Sequence, residues 1–452
     1  MTPLQLHPEN SRYFLFRGEP TLLITSGEHY GAVLNAAFDC GTYLRTLARD
    51  GLNHTRVFAG AYCEPVGAFR IARNTLAPAE GQFVCPWARS DQPGYANGGN
   101  RFDLNRWDEG YFERLRGFLS RAGDCGVVVE VNLFCPFYRD EMWDLSPMKA
   151  SNNINGVGDL SREEAYTVDG SRGLLAVQEA MTRKVVEELK DFDNLFYEIM
   201  NEPYQGNVPM AWQERIVDAI AATEQELGVR HLVSLNIANG REKVDRVHGG
   251  VSILNFHYAW PPDAVAMNYG LGLPIGDNET GFKGTGDFHY RREAWAFVLA
   301  GGGLYNNLDY SFAVGCEDGT FSHPGQPGGG SAALRAQLRY LKTFMAGFPY
   351  IRMAPVAAVG SPPEGYATYA LIQPGAQYAI YLCSTEDEPP EQAASVELRL
   401  DVPSGMYRFS WLDTLSGELA GEGEVSHGGG DLVLPSPPFA GDVALAVTGL
   451  SC

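Results

Sequence analysis

Positive charge is scarce in this sequence: 34 Lys+Arg stand against 55 Asp+Glu, a formal net charge of −21. The acidic residues are spread along the chain, and such a surface repels nucleic-acid phosphate and anionic lipid. Neither nucleic acid nor a membrane is expected as a partner. The roughly 18 consecutive apolar residues of a membrane helix are missing, as is a basic segment leading into an apolar core in Met1-Thr2-Pro3-Leu4-Gln5-Leu6-His7. A cytoplasmic protein is expected, or a secreted one whose leader has been removed. The 8 cysteines, from Cys40 to Cys452, form no C-x-x-C pair, and the 9 histidines form no H-x-H or H-E-x-x-H. No zinc site and no cofactor are implied, and a metal-dependent hydrolase is set aside on that ground.

What is plentiful is glycine, 52 in 452 residues, above the usual roughly 7%. No Gly-X-Y period organises it, so it marks tight connections. Between about residues 20 and 347, short runs of Val, Ile, Leu and Phe alternate with stripes at helical spacing. The runs predict strands at Thr21 to Thr25, His54 to Ala59, Gly126 to Leu133, Leu195 to Met200, Leu232 to Ile237, Ile253 to Phe256, Leu273 to Gly276 and Gly303 to Asn307. Leu174, Val177, Met181 and Val185 are one such stripe; Leu334, Leu338, Leu341 and Met345 are another. Repeated βα units of this number predict an α/β fold, a (β/α)₈ TIM barrel, with a doubly wound open sheet as the alternative. Loops after helices are short, whereas those after the second and third strands are long. In a barrel the loops that follow strands open on one face, which becomes the active face.

From about Pro355 the pattern changes to strand alternation, as in Val396, Leu398, Leu400 and Val402 against Glu397, Arg399 and Asp401. One wet and one dry face per strand predicts a small all-β sandwich. The chain is divided accordingly into a barrel, 1–352, and an accessory sandwich, 353–452, read as a structural companion whose Tyr407, Phe409 and Trp411 belong to its core.

Leu195-Phe196-Tyr197-Glu198-Ile199-Met200-Asn201-Glu202-Pro203 is an apolar strand running into Asn-Glu-Pro. The proline ends the ladder because it has no N–H to donate, which delivers Glu202 to the active face. Leu273-Pro274-Ile275-Gly276-Asp277-Asn278-Glu279 repeats the design with Glu279. Two carboxyl groups facing one cleft are what glycosidic cleavage needs, one protonated to release the leaving oxygen and one ionised to attack.

These two motifs resemble those of glycoside hydrolase clan A, the retaining (β/α)₈ glycosidases that include cellulases and mannanases, over about residues 15 to 350. The resemblance implies a carbohydrate substrate, with Glu202 as acid/base, Glu279 as nucleophile and Asn201 on the sugar 2-hydroxyl. It also assigns Arg56 and the pair His257 and Tyr258 to the surroundings of the nucleophile. Burial is expected to raise the Glu202 pKa towards neutrality. Two positions depart from the pattern. Asn132 stands where many relatives carry a histidine after strand three, and Tyr310 stands near the place of a tryptophan floor after strand eight. Glu28 and His29, within Gly27-Glu28-His29-Tyr30-Gly31, either bind sugar hydroxyls or pair with each other. Trp143 and Trp260, like Trp87, lie in loops after strands and either stack on a sugar ring or plug those loops. A non-catalytic carbohydrate-binding barrel is the alternative function.

Overall fold

The computed structural model describes residues 2–356, 359–360 and 362–450; Cys452 lies outside them. Eight parallel strands form one sheet: β1 (Leu23–Gly27), β2 (His54–Phe58), β3 (Val128–Phe134), β4 (Leu195–Met200), β5 (Leu232–Asn239), β6 (Ile253–His257), β7 (Ile275–Thr280) and β8 (Leu304–Leu308). Their order is β1-β8-β7-β6-β5-β4-β3-β2, each pair in parallel register. Asn53 closes the seam between β1 and β2: its side chain accepts from the Ile24 N–H at 3.0 Å and donates to the Leu22 carbonyl at 2.8 Å. At the far end Phe58 N donates to the Tyr30 carbonyl at 3.0 Å. The sheet is the expected barrel.

Every strand is buried along its length apart from the C-terminal part of β5, which explains why the runs read as continuously apolar. Leu174–Leu189, Met210–Leu227 and Ala332–Ala346 are helices that lay the expected stripes on the sheet. Two features of the βα repeat differ from expectation. Residues 240–252, between β5 and β6, contain no helix. The long segment after β2 is also not structureless, because Trp87–Pro93 and Asn100–Trp107 pair as an antiparallel hairpin. Trp107 stands opposite Trp87 in its register. An N-terminal meander of Gln5–Leu6, Phe14–Phe16 and Glu19–Thr21 brings Leu4 and Phe14 against Leu23, Val128, Phe196, Leu232, Ile253 and Leu304. These apolar residues seal the bottom of the barrel and leave the opposite end as the open one.

The C-terminal strands form a six-stranded antiparallel sheet and a two-stranded one, Glu397–Val402 with Gly430–Pro435, enclosing a separate core that includes Tyr407 and Trp411. Leu419–His427, an edge strand, lacks a dry face and left no alternation to read. The sandwich packs on the barrel helix Asp287–Leu299, of which every residue from Phe288 to Leu299 is buried. Arg291 meets Asp442 at 2.6 Å, and the Trp295 ring stacks on Tyr381 with centroids 5.5 Å apart.

Candidate active site

The open end of the barrel holds a cavity of about 240 Å³ lined by residues from the ends of β1, β2, β3, β4, β6 and β7. Glu202 follows β4 and Glu279 lies in β7, and an oxygen of each, together with His257 Nδ1, falls within 4.8 Å of the others. The chain must bend sharply to aim these groups. Tyr30, Phe69, Glu202, Tyr258 and Phe282, all lining the cavity, have φ values of +61°, +53°, +39°, +52° and +58°. Left-handed backbone at non-glycine residues costs on the order of 1–3 kcal/mol each and collects where surrounding structure can enforce it. At Glu202 the enforcement is visible, since its N–H is held by Asn236 Oδ1 at 3.0 Å.

Three donors converge on Glu279. The Tyr258 hydroxyl donates to Oε1 at 2.8 Å, the Tyr30 hydroxyl to Oε2 at 2.9 Å, and Arg56 to Oε2 at 3.3 Å. Arg56 is fully buried and also binds Glu130 at 3.0 Å and Glu198. Asn255 and Asn278 donate to Glu198 at 2.8 Å each, so the charges beneath the cavity form one hydrogen-bonded cluster. Burial and the neighbouring Glu130 hold the Glu198 carboxyl up at about 7 even against Arg56.

Glu202 accepts from the Tyr138 hydroxyl at 2.8 Å and from His257 Nδ1 at 3.2 Å. Tyr138 in turn accepts from Asn201 Nδ2 at 2.7 Å. Burial pushes the Glu202 carboxyl up, but the His257 bond and charge and the Tyr138 hydroxyl outweigh it and hold the group below its ordinary value. Burial opposes charge on His257, yet the Glu279 and Glu202 carboxylates win and raise the imidazole above its ordinary value. The expected rise of Glu202 is thus reversed. Both directions favour a Glu202 carboxylate facing a His257 imidazolium.

Glu202, His257 and Glu279 form the only set with metal-ligand spacing among the described residues. Their lone pairs face Arg56, Tyr30, Tyr138 and Tyr258, so a cation there would displace a guanidinium and three hydroxyl donors. The arrangement suits proton transfer and nucleophilic attack better than metal binding.

Of the remaining expected site residues, His29 lines the cavity. Glu28 does not: it accepts from the Gly31 and Ala32 N–H groups and from Thr75 Oγ1 at 3.0, 2.9 and 2.5 Å, which uses its carboxylate to brace the loop. Nor do the two residues pair, because His29 faces Glu64 at 3.5 Å. Asn132 is buried with its register neighbours Phe58 and Glu198, outside the lining. Trp143 is a loop plug, its indole N–H bonded to the Leu160 carbonyl at 3.0 Å and its ring against Phe137. Trp260 packs between Tyr369 of the sandwich and the Arg292 guanidinium. Trp87 is fully buried. Tyr310 stands behind the wall, 5.7 Å from the His29 ring and 6.2 Å from Phe282. Glycines of these motifs admit protein rather than ligand. A Cβ on Gly31 would overlap the Thr75 carbonyl, and one on Gly276 the Asn255 side chain.

Tyr30, Glu64 and Tyr138 are lining residues that sequence reasoning missed. Tyr30 lay inside the Glu28 cluster already noticed; Glu64 and Tyr138 sit in long loops where no period or motif distinguishes them.

No protein-family model matches the chain, and no curated protein matches it. Solved structures do. A glycoside hydrolase family 5 structure from Bacteroides vulgatus superposes with a TM-score of 0.64 at 15% identity, covering 99% of this chain and 93% of that one. A structure described as a glycoside hydrolase gives 0.62 at 17% identity, covering 100% and 98%. An endo-beta-1,4-mannanase from Thermotoga petrophila gives 0.50 at 12% identity, covering 94% and 98%. The likeness extends over barrel and sandwich together and establishes the fold.

Proposed function

We propose that the protein is a retaining β-glycosidase related to clan A, with Glu279 as nucleophile and Glu202 as acid/base, the 1–352 barrel catalytic and the sandwich structural. The observation that carries this reading is the close approach of the two carboxyl groups, one oxygen of each lying within 4.8 Å of the other, with donors already placed around each. Retaining enzymes hold their carboxyl groups about 5–5.5 Å apart and inverting ones about 6.5–9.5 Å. The fold neighbours described as glycoside hydrolases, a mannanase among them, are consistent with it.

In the first step Glu279 attacks the anomeric carbon and the glycosidic bond breaks. The leaving oxygen takes a proton through Glu202, drawn from His257 Nδ1 at 3.2 Å, so that Glu202 is left ionised and the imidazole neutral until the second step returns the proton. In the second step Glu202 removes a proton from water, which displaces Glu279 and restores the configuration. Asn201 lines the cavity beside Glu202, which supports its assignment to the 2-hydroxyl. No metal or organic cofactor enters either step.

Glu279→Ala should lower kcat/KM for a cleaved aryl β-glycoside by about 10⁴-fold or more, judged by the loss seen when a nucleophile is removed. Azide should restore part of the rate as the α-glycosyl azide, identified by NMR. Near-normal turnover in that variant removes Glu279 as nucleophile. Oligosaccharide binding without cleavage by the intact protein would favour the non-catalytic alternative.

A further inference from the structure

At the end of the cavity formed by the β1 and β2 loops stand two polar side chains with no part in the two-carboxylate chemistry. Glu64 is 4% exposed and His29 8%, and both line the cavity. Glu64 is held rigidly: the Tyr62 hydroxyl donates to Oε1 at 3.1 Å and Asn74 Nδ2 to Oε2 at 2.5 Å. Each oxygen retains a further lone pair. His29 Nε2 lies 3.5 Å from Glu64 Oε2, and neither ring nitrogen has a hydrogen-bond partner among the described residues. A buried imidazole without a hydrogen bond at either nitrogen costs free energy unless water or a ligand hydroxyl completes it.

The surrounding walls decide what ligand fits. Phe69 from the β2 loop touches Tyr138 at 5.6 Å and Phe282 at 6.3 Å between ring centroids, spanning the cavity from the β3 side to the β7 side. The same β2 loop is tied to the β8 loop, where Ala72 N donates to Gln326 Oε1 at 2.9 Å and Gln326 Nε2 to the Ala72 carbonyl at 3.1 Å. One end is therefore walled off. The volume of about 240 Å³ is below the roughly 300–1,000 Å³ of pockets for drug-sized ligands and suits one sugar ring. No lysine or arginine is among the described residues lining the cavity, and Arg56 beneath it is engaged by Glu130, Glu198 and Glu279, so the lining offers no guanidinium or ammonium group for a uronic acid.

Resting on the glycosidase reading above, we propose that His29 and Glu64 bind two hydroxyls of a neutral terminal sugar at the blind end of the pocket. The pair selects the sugar and makes cleavage exo, one residue at a time. Glu64 accepts from both hydroxyls, and His29 donates to the oxygen of one of them. The imidazole is suited to donate: burial opposes its charge, but Glu64 and Glu279 raise its pKa.

The test uses the cleaved aryl β-glycoside and its 3-, 4- and 6-deoxy analogues with the wild type, Glu64→Gln and His29→Gln. In the wild type, removal of a hydroxyl read by the pair should lower kcat/KM by about 10³-fold or more, since sites built to hydrogen-bond a hydroxyl reject analogues lacking it by 10⁴–10⁵. Glu64→Gln should lose about 10²-fold on the parent and much less on that analogue, a non-additivity that a merely structural role would not produce. The first product released from a β-linked tetrasaccharide should be a monosaccharide. Less than 10-fold discrimination at every position by the wild type, or a larger first product, overturns the proposal while leaving the glycosidase reading intact. The wild-type series does not depend on whether the variants fold. Failure of the wild type to cleave any aryl β-glycoside overturns both.

Discussion

His257 shows how strongly a single residue's surroundings change its role. From sequence it is a histidine at a strand end; in the folded chain it lies 3.2 Å from Glu202 and 3.5 Å from Glu279. Its proton is supported by two carboxylates, so under the proposed mechanism the basic limb of the kcat/KM profile should follow His257 and fall above the ordinary histidine value of about 6.5. His257→Asn leaves Glu202 to hold the acid proton alone, and the basic limb should move to lower pH; an unmoved limb would mean that the pair does not share the proton. His54 tests the same physics through stability. It is fully buried and stacks on Phe196 with centroids 5.9 Å apart, and burial together with Arg56 pushes its pKa down to about 3. Between pH 6.5 and that value the unfolded chain binds a proton that the folded chain refuses. The residue therefore costs about 1.4 kcal/mol for each unit that pH falls through this window. The stability gap between wild type and His54→Asn, from urea midpoints, should narrow by that slope on going from pH 7 to 4.5. A constant gap would refute the depressed value.

Elements were legible where their burial was uniform. Leu195–Met200 agrees residue for residue with its apolar run, and β7 begins two residues beyond the start expected from Leu273, because Pro274 has no N–H to donate to the ladder. The N-terminal meander and Leu419–His427 were not legible, since two- and three-residue strands and an edge without a dry face carry no period. The helix Asp287–Leu299 marks where the chain's two parts depend on each other. It is buried all round, with Arg291 held by Asp442 and Asp442 also taking the Tyr381 and Thr414 hydroxyls at 2.8 Å each. Asp442→Ala removes the partner of a buried guanidinium and should cost about 3–5 kcal/mol, seen as a lower denaturation midpoint. A change below 1 kcal/mol would show that the contact is not formed in solution.

For the whole molecule, the burial of that helix by the sandwich implies that the barrel does not stand alone. A chain ending at residue 352 would expose Phe288, Trp295 and the Arg291 and Arg292 guanidinium groups that the C-terminal strands now cover. It should be recovered aggregated or with a sharply reduced melting temperature, and a monodisperse truncated barrel of full stability would contradict this. Among the described residues, no helix is long and apolar enough to cross a membrane, and the seven described cysteines are free. The sequence by itself determined the eight βα strands, the β-rich C-terminal part and the arrival of Glu202 and Glu279 on one rim, because hydrophobic period and proline punctuation are local properties of the chain. Only the tertiary structure decided which side chains reach that rim. The placement of Tyr30, Glu64, Phe69 and Tyr138 in the cavity, and of Trp143 and Trp260 away from it, depends on loops closing over long sequence separations. Nothing local encodes that closure.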